Sequence, residues 1–169
     1  MQINVLAVIM RGKTEVIMEV TVQKFDNIKT ASVRHVGAYD QCTPAWMTLM
    51  MHPSVMPLVT DKSMFIGISY DDPSKTEQCR YDACVTCPDD FQATAPIAVT
   101  VIGGGDYAVY RHVGSYYGLA EVYRRLFDEW LPASGRAYKN DAPTIQIYRN
   151  LPINTPEEQL ITDVCLPLA

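Results

Sequence analysis

Two aspartates stand at matching places in this chain, and they are the acidic residues best placed to do chemistry. Asp82 lies in the run 81–85 and Asp163 in the similar run 162–166, each flanked by apolar side chains. Because side chains alternate along a strand, each aspartate shares a face with the cysteine two residues later. A carboxylate in such surroundings is costly to bury unless a cation compensates it. The pair therefore predicts either an acidic ligand pocket, or two structural groups that accept hydrogen bonds from the backbone or from Arg80.

Aromatic side chains would supply the walls of such a pocket. The chain has ten tyrosines and two tryptophans, which offer flat, stiff surfaces with a hydrogen-bonding edge. Rings near a carboxylate add cation–π attraction of about 0.5–2 kcal/mol, which favours flat, positively charged organic ligands. The candidate ligand contacts are Asp82, Asp163, Trp46, Trp130, Tyr39, Tyr70, Tyr116, Tyr117 and Tyr148. The alternative role for both tryptophans is core packing, because they fall on the apolar stripes of predicted helices.

Metal and cofactor chemistry is not favoured by the remaining motifs. The cysteine spacing matches that of a plant-type two-iron ferredoxin, through Cys79, Cys84, Cys87 and Cys165. The segment 80–87 reads as a strand, however, which places Cys84 and Cys87 on opposite faces. His35 and His112 have no third and fourth ligand at a useful spacing. We therefore expect no metal and no cofactor.

The elements that must position these residues occur in two copies. The run 34–39 returns as 111–116 with five of six residues identical, and Val20-Thr21-Val22 recurs as Val99-Thr100-Val101. The chain is therefore an internal duplication. A duplication of this kind predicts a two-fold arrangement with the functional site at the junction of the halves.

Each copy is predicted to contain strands and one helix. In the first copy the strands are 20–25, 29–36, 65–70 and 80–87, and in the second they are 107–112, 145–148 and 160–165. The first helix begins with Thr43 as N-cap and ends before Pro53, and the second covers 119–130 and ends at Pro132. The predicted fold is α+β, a tandem pseudo-two-fold repeat of strand-helix-strand-strand units that form a sheet with helices on its outer faces and a central groove.

Length and charge narrow the possible functions. With 169 residues and 48% apolar content, the chain is expected to form a single domain. Its repeats are predicted at about 20–88 and 99–168. The N-terminal extension at 1–18 is predicted to be either an added strand or a disordered segment. A net charge of −5 disfavours direct nucleic-acid binding. The apolar run in 1–10 has no preceding positive charge and is too short to span a membrane, so we expect a cytoplasmic protein with reduced cysteines and no membrane partner.

Several ordered motifs resemble those of one known family. The runs 65–73, 81–85, 104–109, 111–114 and 160–168 together resemble the GyrI-like small-molecule-binding domain, and they also resemble the effector-binding domain at the end of many AraC-type regulators. The resemblance covers about 20–168. It implies two units side by side with a ligand groove between them. In fused relatives this groove senses effectors for an attached DNA-binding domain. The residues before Val20 are too few for a helix-turn-helix, so we expect a free-standing member.

Three functions remain open at this point. The first is a small-molecule-binding protein, of the multidrug-binding kind, that senses or sequesters aromatic or cationic compounds. The second, implied by the resemblance, is a hydrolase of reactive xenobiotics, in which Asp163 would represent the family's pocket acid, although it is shorter than the glutamate often found there. The third is a role with a protein partner, such as inhibition of DNA gyrase. The oligomeric state is not predicted.

Overall fold

Eight strands form one antiparallel sheet in the computed structural model, which describes residues 17–169. The strands are β1 (Val20–Phe25), β2 (Ile28–Val36), β3 (Phe65–Ser69), β4 (Arg80–Thr86), β5 (Ala98–Ile102), β6 (Gly105–Val113), β7 (Thr144–Tyr148) and β8 (Ile161–Pro167). The predicted α+β class is confirmed, and the ends of the predicted strands lie within two residues of the observed ones. The predicted extension 1–18 lies outside the described residues, apart from its last two positions.

The first helix, α1, spans Thr43–Met51 and packs on the first copy. Its buried positions are Ala45 and Leu49, four residues apart, so they share one face of the helix. The prediction that Thr43 is the N-cap is wrong, because Cys42 takes that place and makes no side-chain capping bond. Pro44 then lies in the first turn, where its missing N–H has no intrahelical partner to lose.

The second helix is longer than predicted. It runs through α2 (Leu119–Arg125), a π-helical turn (Leu126–Trp130) and α3 (Leu131–Ser134). Pro132 would break a regular α-helix, since it lacks an N–H and its ring collides with the preceding turn. Here the bond from the Leu131 N–H to the Leu126 carbonyl widens the helix directly before the proline. The chain then continues to Gly135, whose left-handed conformation ends the helix.

The two copies exchange their first strands. The strand order is β1-β6-β8-β7-β3-β4-β2-β5, so β1 pairs with the second copy and β5 with the first. The predicted Asp26-Asn27 turn joins β1 to β2, but these two strands do not pair with each other. Each copy therefore completes its part of the sheet only with a strand from the other.

The register of the exchanged strands corrects one detail of the repeat. Val22 lies opposite Ala108, and Val99 lies opposite Ala31. Ala31 and Ala108 are equivalent in the two copies, because each stands three residues before the shared Arg-His-Val-Gly run. Val99 is therefore the structural counterpart of Val22. The sequence comparison matches Val22 with Val101, two residues further along the chain.

Short connections make the sheet curl on itself. Residues 26–27 join β1 to β2, and residues 103–104 join β5 to β6, although each pair of strands stands near opposite edges of the sheet. Two connecting residues span only about 10 Å, so the edges must approach each other at this corner. The two turns touch there, with the Gly104 N–H donating to Asn27 Oδ1 at 2.7 Å. The curl encloses an inner core built from Ile66, Ile68, Cys84, Ile102, Tyr107, Val109, Ile145, Ile147 and Cys165.

Both helices lie on the opposite, outer face of the sheet. Cross-strand partners share a face, and the partners run from Ala83 to Gly67, to Gln146 and to Val164. Ala83 belongs to the cluster that packs under α1, and Val164 to the cluster that packs under α2. The two helices therefore lie on one face of a single sheet, where the sequence suggested separate outer faces. We call the strip between them, over β3 and β7, the seam.

No helix within residues 17–169 is long and apolar enough to cross a membrane.

Gly104 provides a test of the crossing between the two turns. A Cβ at this position would lie 2.7 Å from the carbonyl oxygen of Phe25 and 3.0 Å from the carbonyl carbon of Asp26, and backbone atoms cannot rotate away. We expect Gly104→Ala to lower the free energy of unfolding by about 1–3 kcal/mol in urea titrations. Gly103→Ala is the control, because its added Cβ meets no atom within 4 Å. Equal stability of the two variants would contradict the crossing.

Candidate functional site

A hydrogen-bonded cluster fills the seam from one helix to the other. Its members, called the seam cluster below, are Trp46, Tyr81, Tyr123, Gln146 and Tyr148. The Trp46 indole donates to the Tyr81 hydroxyl at 3.0 Å, and that hydroxyl is 2.9 Å from the hydroxyl of Tyr148. Tyr148 donates to Gln146 Oε1 at 3.1 Å, and Gln146 Nε2 donates to the Tyr123 hydroxyl at 2.6 Å. The cluster thus connects the two copies through side chains from both.

The duplication explains how the helices contribute to the cluster. The repeat that relates Tyr39 to Tyr116 also relates Trp46 to Tyr123. Each helix therefore directs an aromatic side chain with a polar edge into the seam from the equivalent position. The two halves meet here through similar but not identical groups.

The ring of Tyr148 lies between two other aromatic rings. Its centroid is 5.6 Å from that of Trp46 and 5.5 Å from that of Tyr116, with interplanar angles of 83° and 73°. Edge-to-face contacts of this kind are favourable beyond the area they bury. Tyr39 makes a similar contact with Tyr81 at 6.1 Å. The centre of the seam is consequently aromatic on several sides.

Gly67 forms the floor of the seam in β3. A Cβ at this position would lie 2.7 Å from Gln146 Oε1 and 2.9 Å from the Tyr148 hydroxyl, and would overlap the Tyr81 hydroxyl. Such distances are too short for ordinary contact. A glycine here therefore leaves the space in which the three polar groups meet.

The seam cluster carries no formal charge at neutral pH. Burial raises the pKa of Tyr148, of Tyr81 and of Tyr123 well above the ordinary range, and burial raises the pKa of Tyr39 to about 12. These phenols stay protonated, and the Gln146 amide is neutral. Neutral, aromatic and sparsely polar surroundings suit uncharged or weakly hydrated organic groups.

One buried hydroxyl beside the cluster lacks a partner. Thr162 is fully buried, and its Oγ1 is the buried side-chain polar atom without a hydrogen bond within the described part of the chain. It stands directly opposite Tyr148 in the sheet, so it belongs to the seam side. A buried hydroxyl without a hydrogen bond is costly, and a bound group could satisfy it.

The two aspartates lie on the inner face, away from the seam. Asp82 is opposite Arg34 in the sheet and accepts two hydrogen bonds from its guanidinium group, one from Nε and one from Nη2 at 3.0 Å. The Tyr70 hydroxyl donates to the same carboxylate at 2.7 Å. The Arg34 guanidinium also stacks 4.7 Å over the Tyr70 ring. Asp82 is thus compensated by the protein itself.

Asp163 is held by two arginines. Arg111, directly opposite in the sheet, donates at 2.7 and 2.9 Å, and Arg149 donates at 2.7 Å. Burial alone would raise the pKa of Asp163, but the hydrogen bonds and charges of the two arginines outweigh it and lower the pKa. The structural alternative named Arg80 as a partner, whereas Arg80 pairs with Asp71. Both buried aspartates are therefore cross-strand ion pairs.

The structure brings together only part of the predicted set. Tyr39, Trp46, Tyr116 and Tyr148 meet at the seam. Tyr117 is 87% exposed beside Tyr116. Trp130 packs in the core under α2 and α3, and Tyr70 belongs with Asp82 on the inner face.

Sequence reasoning missed three members of the seam cluster. Helical spacing predicts Tyr123 on the apolar stripe of its helix, although the repeat aligns it with Trp46. Strand alternation predicts the face on which Tyr81 lies, opposite to that of Asp82, but gives no sign of its contact with Tyr148. Gln146 carries no local signal beyond its alternation with Ile145 and Ile147.

The cysteines are free and show no metal-site geometry. Cys84 lies in the inner core and Cys87 packs against the outer core beside α1, which agrees with their predicted placement on opposite faces. Within residues 17–169, no group of three His, Cys, Asp or Glu side chains is arranged to hold a metal.

Comparison with known proteins gives matches over nearly the whole described chain. The sequence profile of the GyrI-like small molecule binding domain matches residues 18–169. The probable transcriptional regulator YgiV of Escherichia coli K12 is 30% identical over 170 residues, which cover 92% of this chain and 99% of that protein. The EcmrR C-terminal domain has a similar fold, with a TM-score of 0.74 at 16% identity over 91% of this chain and 99% of that one. SAV2435 bound to tetraphenylphosphonium has a TM-score of 0.60 at 14% identity, covering 90% and 94%.

Acid titration tests the role of Asp163. Because its pKa is lowered in the folded state, its ionised form stabilises the fold at neutral pH, and this contribution disappears as the pH falls through the folded-state pKa. We expect Asp163→Asn to lower the free energy of unfolding by about 1–3 kcal/mol at pH 7, and the difference from wild type to shrink below about pH 4. The loss of stability is not larger because the side chains of Arg111 and Arg149 are 59% and 39% exposed, so water can solvate both guanidinium groups once the carboxylate is removed.

Asp128→Asn, at an exposed helical position, is the control for that experiment and should leave stability nearly unchanged. If Asp163→Asn is as stable as wild type at pH 7, the ion pairs of Asp163 contribute nothing to the free energy of unfolding.

Proposed function

This chain belongs to the GyrI-like small-molecule-binding family, and we propose that it binds small aromatic organic molecules, neutral or cationic, in the seam. The observation that carries the proposal is the position of the Tyr148 ring between Trp46 and Tyr116. A ligand ring in the same place would keep edge-to-face contacts on both sides. Tyr148 thus marks the position of the ligand ring.

Binding requires Tyr148 to move aside. Tyr148 is a partly exposed residue, and two neutral hydrogen bonds, to Tyr81 and Gln146, hold its hydroxyl. Each such bond contributes about 0.5–1.5 kcal/mol, so an aromatic ligand that buries comparable area offsets the displacement. The displaced hydroxyl leaves Gln146 Oε1 available to a polar group on the ligand, and the Thr162 hydroxyl beside it already lacks a partner among the described residues.

The seam accepts a cation through ring faces and not through a carboxylate. Asp82 and Asp163 lie on the other face and are already paired with arginines. Aromatic faces supply about 0.5–2 kcal/mol for a cation, which corresponds to no more than roughly a 30-fold preference. Tetraphenylphosphonium, the bulky aromatic cation in the SAV2435 structure, is a suitable probe.

A sensing or sequestering role accounts for binding without chemistry. YgiV is named a probable transcriptional regulator, which favours sensing. With a net charge of −5, this chain would pass a signal more easily through a protein partner than through direct contact with nucleic acid.

The hydrolase alternative is less well supported by the geometry. A general base needs a carboxylate that can take up a proton near neutral pH. Asp163 has a lowered pKa and accepts bonds from two arginines, and the five members of the seam cluster include no carboxylate. A protein-interaction role, such as DNA gyrase inhibition, stays a prediction.

Replacing one tryptophan at a time tests the location of the site. We expect Trp46→Leu to weaken tetraphenylphosphonium binding at least tenfold in calorimetric titrations, because the ligand ring loses one aromatic neighbour. Trp130→Leu is the matched control, since Trp130 packs in the core under α2 and α3. Ligand-induced quenching of tryptophan fluorescence should also vanish in Trp46→Leu and persist in Trp130→Leu. Equal affinity of both folded variants would contradict the seam.

A carboxylate variant separates the seam from an acidic pocket. Asp163→Asn should bind tetraphenylphosphonium within about twofold of wild type, because the residue lies on the opposite face of the sheet. A loss greater than tenfold in the folded variant would place the cation beside Asp163 instead, as the sequence first suggested.

A further inference from the structure

A second cavity opens on the inner side of the curled sheet, away from the seam. It has a volume of about 160 Å³ and lies beside the glycine turn that joins β5 to β6. Its apolar walls include Ile68, Tyr107, Pro143 and Leu168. The cavity is separated from the seam by the sheet itself, because Ile68 faces the inner core.

The size and walls of this cavity suit a single small ring. A protein cavity of about 150 Å³ with apolar walls accepts benzene. The lining hydroxyls are already engaged, since Tyr107 donates to the Gly103 carbonyl at 2.8 Å and Tyr70 donates to Asp82 at 2.7 Å. These tyrosines therefore offer mainly their rings.

The charges around the cavity favour an anion. Asp106 and Lys139 line it, and Arg136 lies 3.8 Å from the Asp106 carboxylate. That ion pair offsets the one negative charge of the lining. The ammonium group of Lys139 has no ion pair or side-chain hydrogen bond within residues 17–169. One positive charge thus remains unbalanced beside an apolar cavity.

We propose that this cavity binds a small aromatic carboxylate, with its ring among the apolar side chains and its carboxylate beside Lys139. The site differs from the seam in face, size and charge preference. It does not depend on the function proposed for the seam.

Benzoate is the probe, and benzamide is its neutral counterpart of nearly the same shape. Saturation-transfer NMR on the full chain should show benzoate binding with a dissociation constant of about 1 mM, as suits so small a ligand. Benzamide should bind about fivefold more weakly. Failure of benzoate to bind wild type at 20 mM, or equal affinity for the two probes, would overturn the proposal.

Two substitutions assign the binding to this cavity. Lys139→Gln should weaken benzoate about fivefold and leave benzamide unchanged. Lys62→Gln is the control, because it also removes one positive charge, but beside a shallow depression in the first copy. It should change the affinity for neither benzoate nor benzamide. Ala142→Leu, at a lining position, should weaken binding of both probes by narrowing the cavity. Equal effects of the two lysine variants would overturn the assignment.

Competition separates this site from the seam. Saturating tetraphenylphosphonium should leave benzoate binding unchanged, and Trp46→Leu should retain it. Displacement of benzoate by tetraphenylphosphonium would place both in the seam and overturn the second site. Loss of tetraphenylphosphonium binding alone would count against the seam only.

Discussion

The exchange of first strands between the two copies is the constraint on which the rest of the structure depends. β1 and β5 each complete the other copy's part of the sheet, yet only two residues connect each of them to its own copy. Such short connections hold the sheet edges together and force the curl. The curl buries an inner apolar core and leaves the outer face to the helices. Each copy alone would lack a strand and expose that core, so the duplication is needed for folding.

The seam shows how the two copies of a duplicated chain meet in one shared cluster of side chains. Gly67 and Gln146 are equivalent residues and also lie opposite each other, so the pseudo-two-fold axis passes between them. Two large side chains would collide there, and two small ones would leave a void. The copies have instead become complementary in size. The same holds for Tyr81 and its counterpart Thr162, whose unpartnered hydroxyl stands where the second copy lacks a phenol.

The buried charged side chains lie on the inner face of the sheet, whereas the seam on the outer face is neutral. Each copy keeps one buried aspartate in register with an arginine on the neighbouring strand, Arg34 with Asp82 and Arg111 with Asp163. Because these carboxylates are neutralised on the inner face, they contribute little field at the seam, which stays aromatic and neutral. The inner cavity instead lies beside the unbalanced cation of Lys139. The two faces of the sheet therefore differ in charge as well as in side-chain composition.

The sequence by itself determined the duplication, the α+β class, seven of the eight strands and the burial of two equivalent aspartates, because these follow from local alternation, helical spacing and repeated runs. The sequence also predicts Trp46 and Tyr148 as candidate residues, because aromatic side chains on a helix stripe or at a strand end can be recognised without a structure. Only the tertiary structure decided that β1 pairs with the other copy, that Asp82 and Asp163 face away from the seam, and that Gln146 lies at its centre. Those outcomes depend on register and on the curl of the sheet, which arise from contacts between residues far apart in the chain.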